Sequence, residues 1–263
     1  MKLGGIPGVP NFVSHEFGGK TSKYCLLIPI INEHGRIENE LFIAQQNGVD
    51  KQCDIIICDG GSTDGSANLD TLKSLGVNTA LVIQDDGKLG SQLRMGLWWA
   101  LQRNYDGFIT IDGNNKDSID DVHKFVEKLE FGYDFVQGSR FIRGGKAINT
   151  PLCRLLAIKF IHTPLISLIS RFNFTDTTNG FRAYSRKYIE HQKVKPFRDL
   201  FVSYELLAYL SVRASQVGLR VCEVPVTRAY PKGEKIPTKI PKVKGNIDLL
   251  RFLFTTMLGR YNP

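Results

Sequence analysis

A single α/β domain, with a mostly parallel central sheet and helices on both faces, is the fold class the sequence predicts. Three observations predict it. Short apolar runs alternate with stretches of helical periodicity from residue 24 to residue 226. Three of the runs end in acidic turns, Asn32-Glu33, Asp59-Gly60-Gly61 and Asp112-Gly113-Asn114. No repeat or low-complexity tract breaks the pattern, and 263 residues at 42% hydrophobic content suffice for one full core.

In chain order, residues 1–22 are rich in Gly and Pro and read as an irregular arm. The expected strands are Tyr24–Ile31, Asp54–Cys58, Thr79–Ile83, Phe108–Ile111, Asp134–Val136 and Leu219–Val226. Helical spacing marks Arg36–Asn47, Asp64–Leu75, Ser91–Arg103 and Ile119–Glu130, the second opened by the capping run Ser62-Thr63-Asp64. A further helix is expected over Leu155–Ser170, with Ile158, Ile161, Leu165 and Leu168 toward one side, packing on the sheet or dipping into a membrane interface. Tyr230 to Gly245 is rich in Pro, Lys and Gly and reads as a mobile loop, followed by a helix over Ile247–Leu258. The composition shifts near residue 138 to basic and helical, which divides the domain into a nucleotide half (23–137) and an acceptor half (138–240), with a tail at 241–263.

The formal net charge of +8 favours an anionic partner: nucleic acid, an anionic membrane surface or a phosphorylated substrate. No helix, finger or aromatic platform supports nucleic acid, and neither a Walker loop nor G-x-G-x-x-G occurs. Cys25, Cys53, Cys58, Cys153 and Cys222 are odd in number and scattered, so free thiols in a reducing, cytoplasmic setting are expected rather than disulfides or zinc. The N-terminus offers no apolar signal core, and Leu155–Ser170 is too short and too interrupted to cross a bilayer.

The acidic turns carry the chemistry. At the carboxyl edge of an open α/β sheet, carboxylates accept from ribose or base donors and glycines let the backbone come close. The run Asp112-Gly113-Asn114-Asn115-Lys116-Asp117 offers hard oxygen ligands to a divalent cation carrying a diphosphate. Read without its neighbours, the run is equally a solvated turn.

The motifs, in order, resemble the inverting glycosyltransferases of family two, which have the GT-A fold. They are most similar to the dolichyl-phosphate mannose synthase and polyprenyl-phosphate glycosyltransferase branch. The matching residues are Pro29 to Glu33, Asp59 and Gly61 to Asp64, Gly87-Lys88-Leu89-Gly90, Gly138 to Phe141, Gly180 to Arg182 and Glu223 to Val226. The resemblance implies that Pro29, Glu33, Asp59, Lys88, Asp112 and Gly113 cradle a UDP- or GDP-sugar. It implies a Mg²⁺ or Mn²⁺ ion at Asp112, Asn114 and Asp117. It further implies that Arg140 and Arg154 hold the phosphate of a polyprenyl acceptor through forked guanidinium contacts, and with such an acceptor Arg228 and Lys235 are expected to help position it and offset repulsion from the donor diphosphate. The plain alternative for these arginines is a solvated helix start.

Acceptor identity decides the mechanism. A lipid phosphate is already a nucleophile, whereas a glycan hydroxyl needs a general base, for which Asp176 and Glu205 are the candidates. Asp112, Arg140, Arg154 and Asp176 are thus the expected catalytic groups of a hexosyl transfer, at the cytoplasmic face of a membrane if the acceptor is a lipid. The family's second acid is Asn114 here and Lys116 stands where relatives often carry Gln, so a non-catalytic nucleotide or phospholipid binder is the third reading.

Overall fold

The computed structural model describes the backbone of residues 2–85, 87–231 and 244–263. The expected irregular arm instead carries two strands, β1 (Lys2–Leu3) and β2 (Phe12–Glu16). Phe12 and Ser14 point inward and Val13 and His15 do not, a period-two pattern that five residues among glycines and prolines left faint. The elements that follow are β3 (Tyr24–Ile30), α1 (Arg36–Gln46), α2 (Val49–Gln52), β4 (Asp54–Asp59), α3 (Leu69–Ser74), β5 (Val77–Ile83), α4 (Leu89–Gln102), β6 (Gly107–Thr110), α5 (Val122–Glu130) and β7 (Phe135–Ser139). Then come β8 (Lys146–Ile148), α6 (Leu152–Ala157), α7 (Thr163–Ser170), β9 (Arg182–Ser185), α8 (Arg186–Ile189), α9 (Glu205–Gln216), β10 (Val221–Pro225), β11 (Thr227–Ala229) and α10 (Lys244–Met257).

Nine strands form one sheet in the order β1-β2-β5-β4-β3-β6-β9-β7-β10. Its centre, β5-β4-β3-β6, is parallel, as is β7 with β10, while β9 runs antiparallel between β6 and β7. Every residue of β3 and β4 is buried, as expected for strands covered on both faces. Alternate residues feed two cores. Cys25, Leu27, Ile56 and Cys58 join Leu93 and Trp99 of α4 and Leu206 and Leu210 of α9. Leu26, Ile28, Ile55 and Ile57 join Ile37 and Leu41 of α1 and Val122 and Phe125 of α5. The single α/β domain of the sequence reading is what forms.

Four local expectations change. The helix expected from Asp64 begins only at Leu69, capped by Asn68. Asp64 instead accepts from the His34 N–H at 2.9 Å and the Ser66 N–H at 3.0 Å, and Gly65 sits at φ 92°, so side-chain bonds and a left-handed residue hold a loop. Arg182–Ser185, too short to signal, is strand β9. Leu219–Val226 ends early as β10 and restarts as β11, which pairs with β8 in a separate ribbon. The apolar helix starts at Leu152 and runs through a π-turn at Ile158–His162 into α7, giving 19 residues, long and apolar enough to cross a membrane by length and composition.

Only 17% of that helix's apolar stretch is buried. Leu152, Leu156, Phe160 and Leu168, spaced by multiples of four, are exposed, whereas Ile158 and Ile166 face inward. The side predicted from Ile158, Ile161, Leu165 and Leu168 is therefore split, because the π-turn rotates the face. All five cysteines are free thiols: Cys25, Cys53 and Cys58 buried, Cys222 half-buried and Cys153 exposed. The loop expected at Tyr230 to Gly245 lies largely outside the described residues, and Ile247–Leu258 falls within and just past α10.

Candidate active site

Parallel register brings the acidic turns together. Ile30 stands opposite Asp59, the Gly60 N–H donates to Ile30 O at 2.9 Å and the Gly113 N–H to Pro29 O at 3.4 Å. Gln92 of α4 donates to the Cys58 carbonyl at 3.0 Å and to Ile30 O, binding the ends of β3 and β4 to the helix behind them. Asp59 is buried and accepts from the N–H groups of Gly61 at 3.0 Å and Ser62 at 3.1 Å. It shapes the turn that a nucleotide would meet. Glu33 is bonded to Arg36 Nε at 2.5 Å, and Lys88 is exposed at the start of α4. Pro29, Glu33, Asp59, Lys88 and Gly113 thus share one sheet edge.

Asp112 follows β6 on the same edge. One guanidinium, Arg228, donates from Nη2 to Asp112 Oδ2 at 3.1 Å and from Nη1 to Asp117. The Arg228 side chain is 8% exposed; burial opposes its charge, but Asp117 and Asp112 outweigh burial and raise its pKa. Burial pushes the Asp117 carboxyl up to about 6, with Arg228 pulling it down and Asp112 adding to the rise. Burial, followed by the nearby Arg228, lowers the pKa of Lys116. Asp117, expected as a metal ligand, pairs through Oδ2 with Arg228, an isolated bridge fixing their backbones side by side, while its Oδ1 is buried with no hydrogen-bond partner among the described residues.

The remaining oxygens fit a divalent cation. Among the described residues no group of three or more His, Cys, Asp or Glu converges as a cage. Asn114 Oδ1, however, is buried with no hydrogen-bond partner among the described residues. Asp112 Oδ1 points at Gly180, where an added Cβ would lie only 2.4 Å away. One carboxylate and one amide oxygen suit an ion whose other ligands come from diphosphate and water. Behind this turn, Glu40 of α1 is fully buried and accepts the Asn115 N–H at 2.9 Å. Burial pushes its carboxyl well above the usual carboxylate range.

Gly180 is held in place from both sides. Thr110 Oγ1 donates to its carbonyl at 2.9 Å, and Arg182 donates to the carbonyls of Asn179, Thr177 and Leu207. Glu223 accepts the N–H groups of Thr175 at 2.9 Å and Asp176 at 3.1 Å. The Gly-Phe-Arg and Glu-Val-Pro-Val motifs therefore act as the clasp of the 175–180 loop.

Arg140 and Asp176 are each other's partners. Arg140 Nε donates to Asp176 Oδ2 at 2.6 Å and Nη2 to Oδ1 at 2.9 Å, with Asp176 fully buried. This arrangement differs from both expectations: Arg140 spends its fork on a carboxylate, and Asp176 presents no free oxygen edge to a hydroxyl. Glu205, the other candidate base, accepts the Ser203 N–H at 2.6 Å at the start of α9. Arg154, half-buried on α6, donates from Nη1 to the Tyr230 hydroxyl at 2.8 Å and joins Lys116 and Arg228 around that ring. For Tyr230, burial raises the pKa, but Arg228 and Arg154 outweigh it and the net shift is down. Lys235, like the basic residues Lys232, Lys239 and Lys242, lies outside the described residues.

Tyr230 and Glu40 are not among the site residues expected from sequence, and both carry a signal there. Tyr230 is two residues from Arg228 and so shares its face of the extended chain. Glu40 sits at helical spacing from Ile37, Leu41 and Ala44, on the buried stripe of α1. A cavity of about 310 Å³ opens beside the turn, lined by Arg36, Asn114, Asn115, Lys116, Ala229, Tyr230 and Pro231.

Comparison with known proteins agrees with this geometry. The family described as Glycosyl transferase family 2 matches residues 25–192. The chain is 28% identical over 214 residues to polyprenol monophosphomannose synthase of Mycolicibacterium smegmatis, covering 79% of this chain and 77% of that protein. It is 24% identical to undecaprenyl-phosphate mannosyltransferase of Micrococcus luteus, covering 76% and 82%. Its fold matches glucosyl-3-phosphoglycerate synthase of Mycobacterium tuberculosis, solved with Mn²⁺ and uridine diphosphate, with a TM-score of 0.62 at 16% identity over 92% of this chain and 81% of that one. With acidic strand ends gathered at one edge of a GT-A sheet and the family match spanning most of the chain, this protein belongs to glycosyl transferase family 2 and is a nucleotide-sugar-dependent glycosyltransferase.

Proposed function

We propose that the chain transfers a hexosyl group with inversion from a UDP- or GDP-sugar to a polyprenyl phosphate at the cytoplasmic face of a membrane. The observation that carries this reading is the contrast between cations and bases. Lys116, Arg154 and Arg228 gather around one buried ring beside Asp112, while Asp176 is locked to Arg140 and Glu205 is turned to a backbone N–H. A hydroxyl acceptor needs a base, and a phosphate acceptor needs cations to hold it against a negatively charged donor.

An acceptor phosphate oxygen attacks the anomeric carbon from the face opposite the leaving group. The bond from that carbon to the diphosphate breaks, and the nucleoside diphosphate departs with the bonding pair. Arg154 orients the attacking phosphate, Arg228, held by Asp112 and Asp117, adds positive charge beside it, and the turn built on Asp59 and Gly113 receives the nucleotide. A divalent cation, when held by Asp112 and Asn114, offsets the charge on the departing diphosphate.

Relatives named for polyprenol and undecaprenyl phosphate chemistry support the acceptor, and a structural neighbour with Mn²⁺ and uridine diphosphate supports the ion. The exposed stripe of Leu152, Leu156, Phe160 and Leu168 supports peripheral attachment to a membrane. The test supplies Mg²⁺ or Mn²⁺, a panel of UDP- and GDP-sugars and a short polyprenyl phosphate, and measures lipid-linked sugar. Product that depends on the lipid phosphate and falls at least tenfold in Arg154→Ala is expected, on the scale of one lost charged contact. Nucleotide release indifferent to the lipid points to a glycan hydroxyl, and binding without release to a non-catalytic binder.

A further inference from the structure

Tyr230 is the point at which the basic cluster converges. Its ring centroid lies 5.6 Å from Arg154 Cζ, 5.8 Å from Arg228 Cζ and 5.7 Å from Lys116 Nζ. Its hydroxyl accepts from Arg154 Nη1 at 2.8 Å. The residue is 3% exposed. Its backbone is pinned by an N–H bond to Ile148 O at 3.0 Å and by Asn149 Nδ2 donating to its carbonyl at 3.1 Å. We infer that Tyr230 is a positioning residue that holds Arg154 to one ring shared with Arg228 and Lys116, and so fixes where the acceptor's head group sits.

The inference rests on the polyprenyl-phosphate reading and adds to it a residue that touches no reacting atom. Cations close together repel one another; Asp112 and Asp117 offset the charge of Arg228, and the ring's electron-rich face adds to that before a phosphate arrives. These cations come from distant parts of the chain: Lys116 from the turn after β6, Arg154 from α6 and Arg228 from β11. Asp112 and Asp117 already hold Arg228, so the part left to Tyr230 is to bring Arg154 to it. Arg154 lies on a helix that is otherwise largely exposed, so the 2.8 Å bond from Nη1 is what fixes its side chain relative to Arg228. Because that bond uses one of several guanidinium N–H groups, the others remain as donors for phosphate. Tyr230 also lines the cavity beside Asn114 and Lys116, between the donor turn and the cluster.

Tyr230→Phe keeps the ring and removes the hydroxyl. The expected result is an acceptor KM about tenfold higher, the scale of one charged hydrogen bond, with the donor KM moved less than about twofold. On an Arg154→Ala background the same change should have no further effect, because the hydroxyl acts through Arg154. Tyr230→Leu, which removes the ring as well, should raise the acceptor KM further. A purely structural role predicts the opposite pattern: a lowered Tm, with donor and acceptor KM rising together. That pattern, or full additivity with Arg154→Ala, overturns the inference. Direct titration with a short polyprenyl phosphate reads the cluster without turnover, and equal affinity in wild type and Tyr230→Phe likewise overturns it. Wild-type protein that makes no lipid-linked sugar is a separate result, which overturns the acceptor reading.

Discussion

Arg140 and Asp176 form a forked ion pair across 36 residues of sequence, with side chains 2% and 0% exposed. Both lie in motifs that invite a catalytic assignment, but the pairing gives them a different role. A buried guanidinium whose partner is removed is left as an uncompensated charge, costing about 3–5 kcal/mol. Asp176→Ala should therefore lower unfolding free energy by about that amount in urea titrations, and Arg140→Ala should do the same. Turnover should fall in step with folded fraction. A variant at Asp176 with wild-type stability and no turnover would instead mark this carboxylate as a base.

Gly180 gives a more selective probe of Asp112. An alanine Cβ there would meet Asp112 Oδ1 at 2.4 Å and displace a carboxylate whose side chain is 29% exposed and whose other oxygen is bonded to Arg228. The main cost falls on the ion site and little on the core. Gly180→Ala is expected to weaken metal-dependent binding of a nucleotide-sugar by about tenfold or more, measured calorimetrically, with Tm within a few degrees of wild type. Unchanged binding would remove Asp112 from the ion's coordination shell.

The two probes also show what could be read in advance. Asp59 and Asp112 were legible because apolar runs ending in Asp-Gly turns mark strand ends, and parallel register then puts them on one edge. The partnerships were not. Arg228 meets Asp117 across 111 residues, and Arg140 meets Asp176 only because β9 enters antiparallel between β6 and β7. Strand β9 has four residues, Arg-Ala-Tyr-Ser, and no periodicity to reveal it. Motif position thus marks the candidate site, while long-range pairing decides which of its charges are already partnered.

Asp117 makes the pair with Arg228 sensitive to pH. Its folded-state value of about 6 lies above the ordinary carboxylate value, so between about pH 4 and 6 the native state holds this proton more tightly than the unfolded chain. Stability from this group is full below that window and is lost as pH rises through about 6. Asp117→Asn lacks the titration. The stability of wild type relative to Asp117→Asn should fall as pH rises from 4 to 7, followed by unfolding midpoints in urea. A difference that stays flat, or rises with pH, would mean that Arg228 holds Asp117 ionised throughout.

If the protein attaches to a membrane as proposed, the helix from Leu152 to Ser170 is the face that meets lipid. Phe160 is 73% and Leu168 74% exposed, and each would gain about 1.5–3 kcal/mol if buried in an interface. Lys159, Arg143 and Lys146 are exposed nearby in sequence, and a basic residue near an anionic surface adds about 1 kcal/mol. Arg154 rises from the same helix toward the active site, so docking this face brings a membrane-borne phosphate close to the cluster around Tyr230. Phe160→Asp and Leu168→Asp should each weaken sedimentation with vesicles containing anionic lipid by at least tenfold. Raising salt should weaken binding in both, since only the apolar part has been removed. Turnover of a short, water-soluble polyprenyl phosphate should be unaffected, because neither side chain lines the site. Turnover lost equally with soluble and vesicle-bound acceptors would mean that these residues maintain the fold, and the membrane face would have to be sought elsewhere on the molecule.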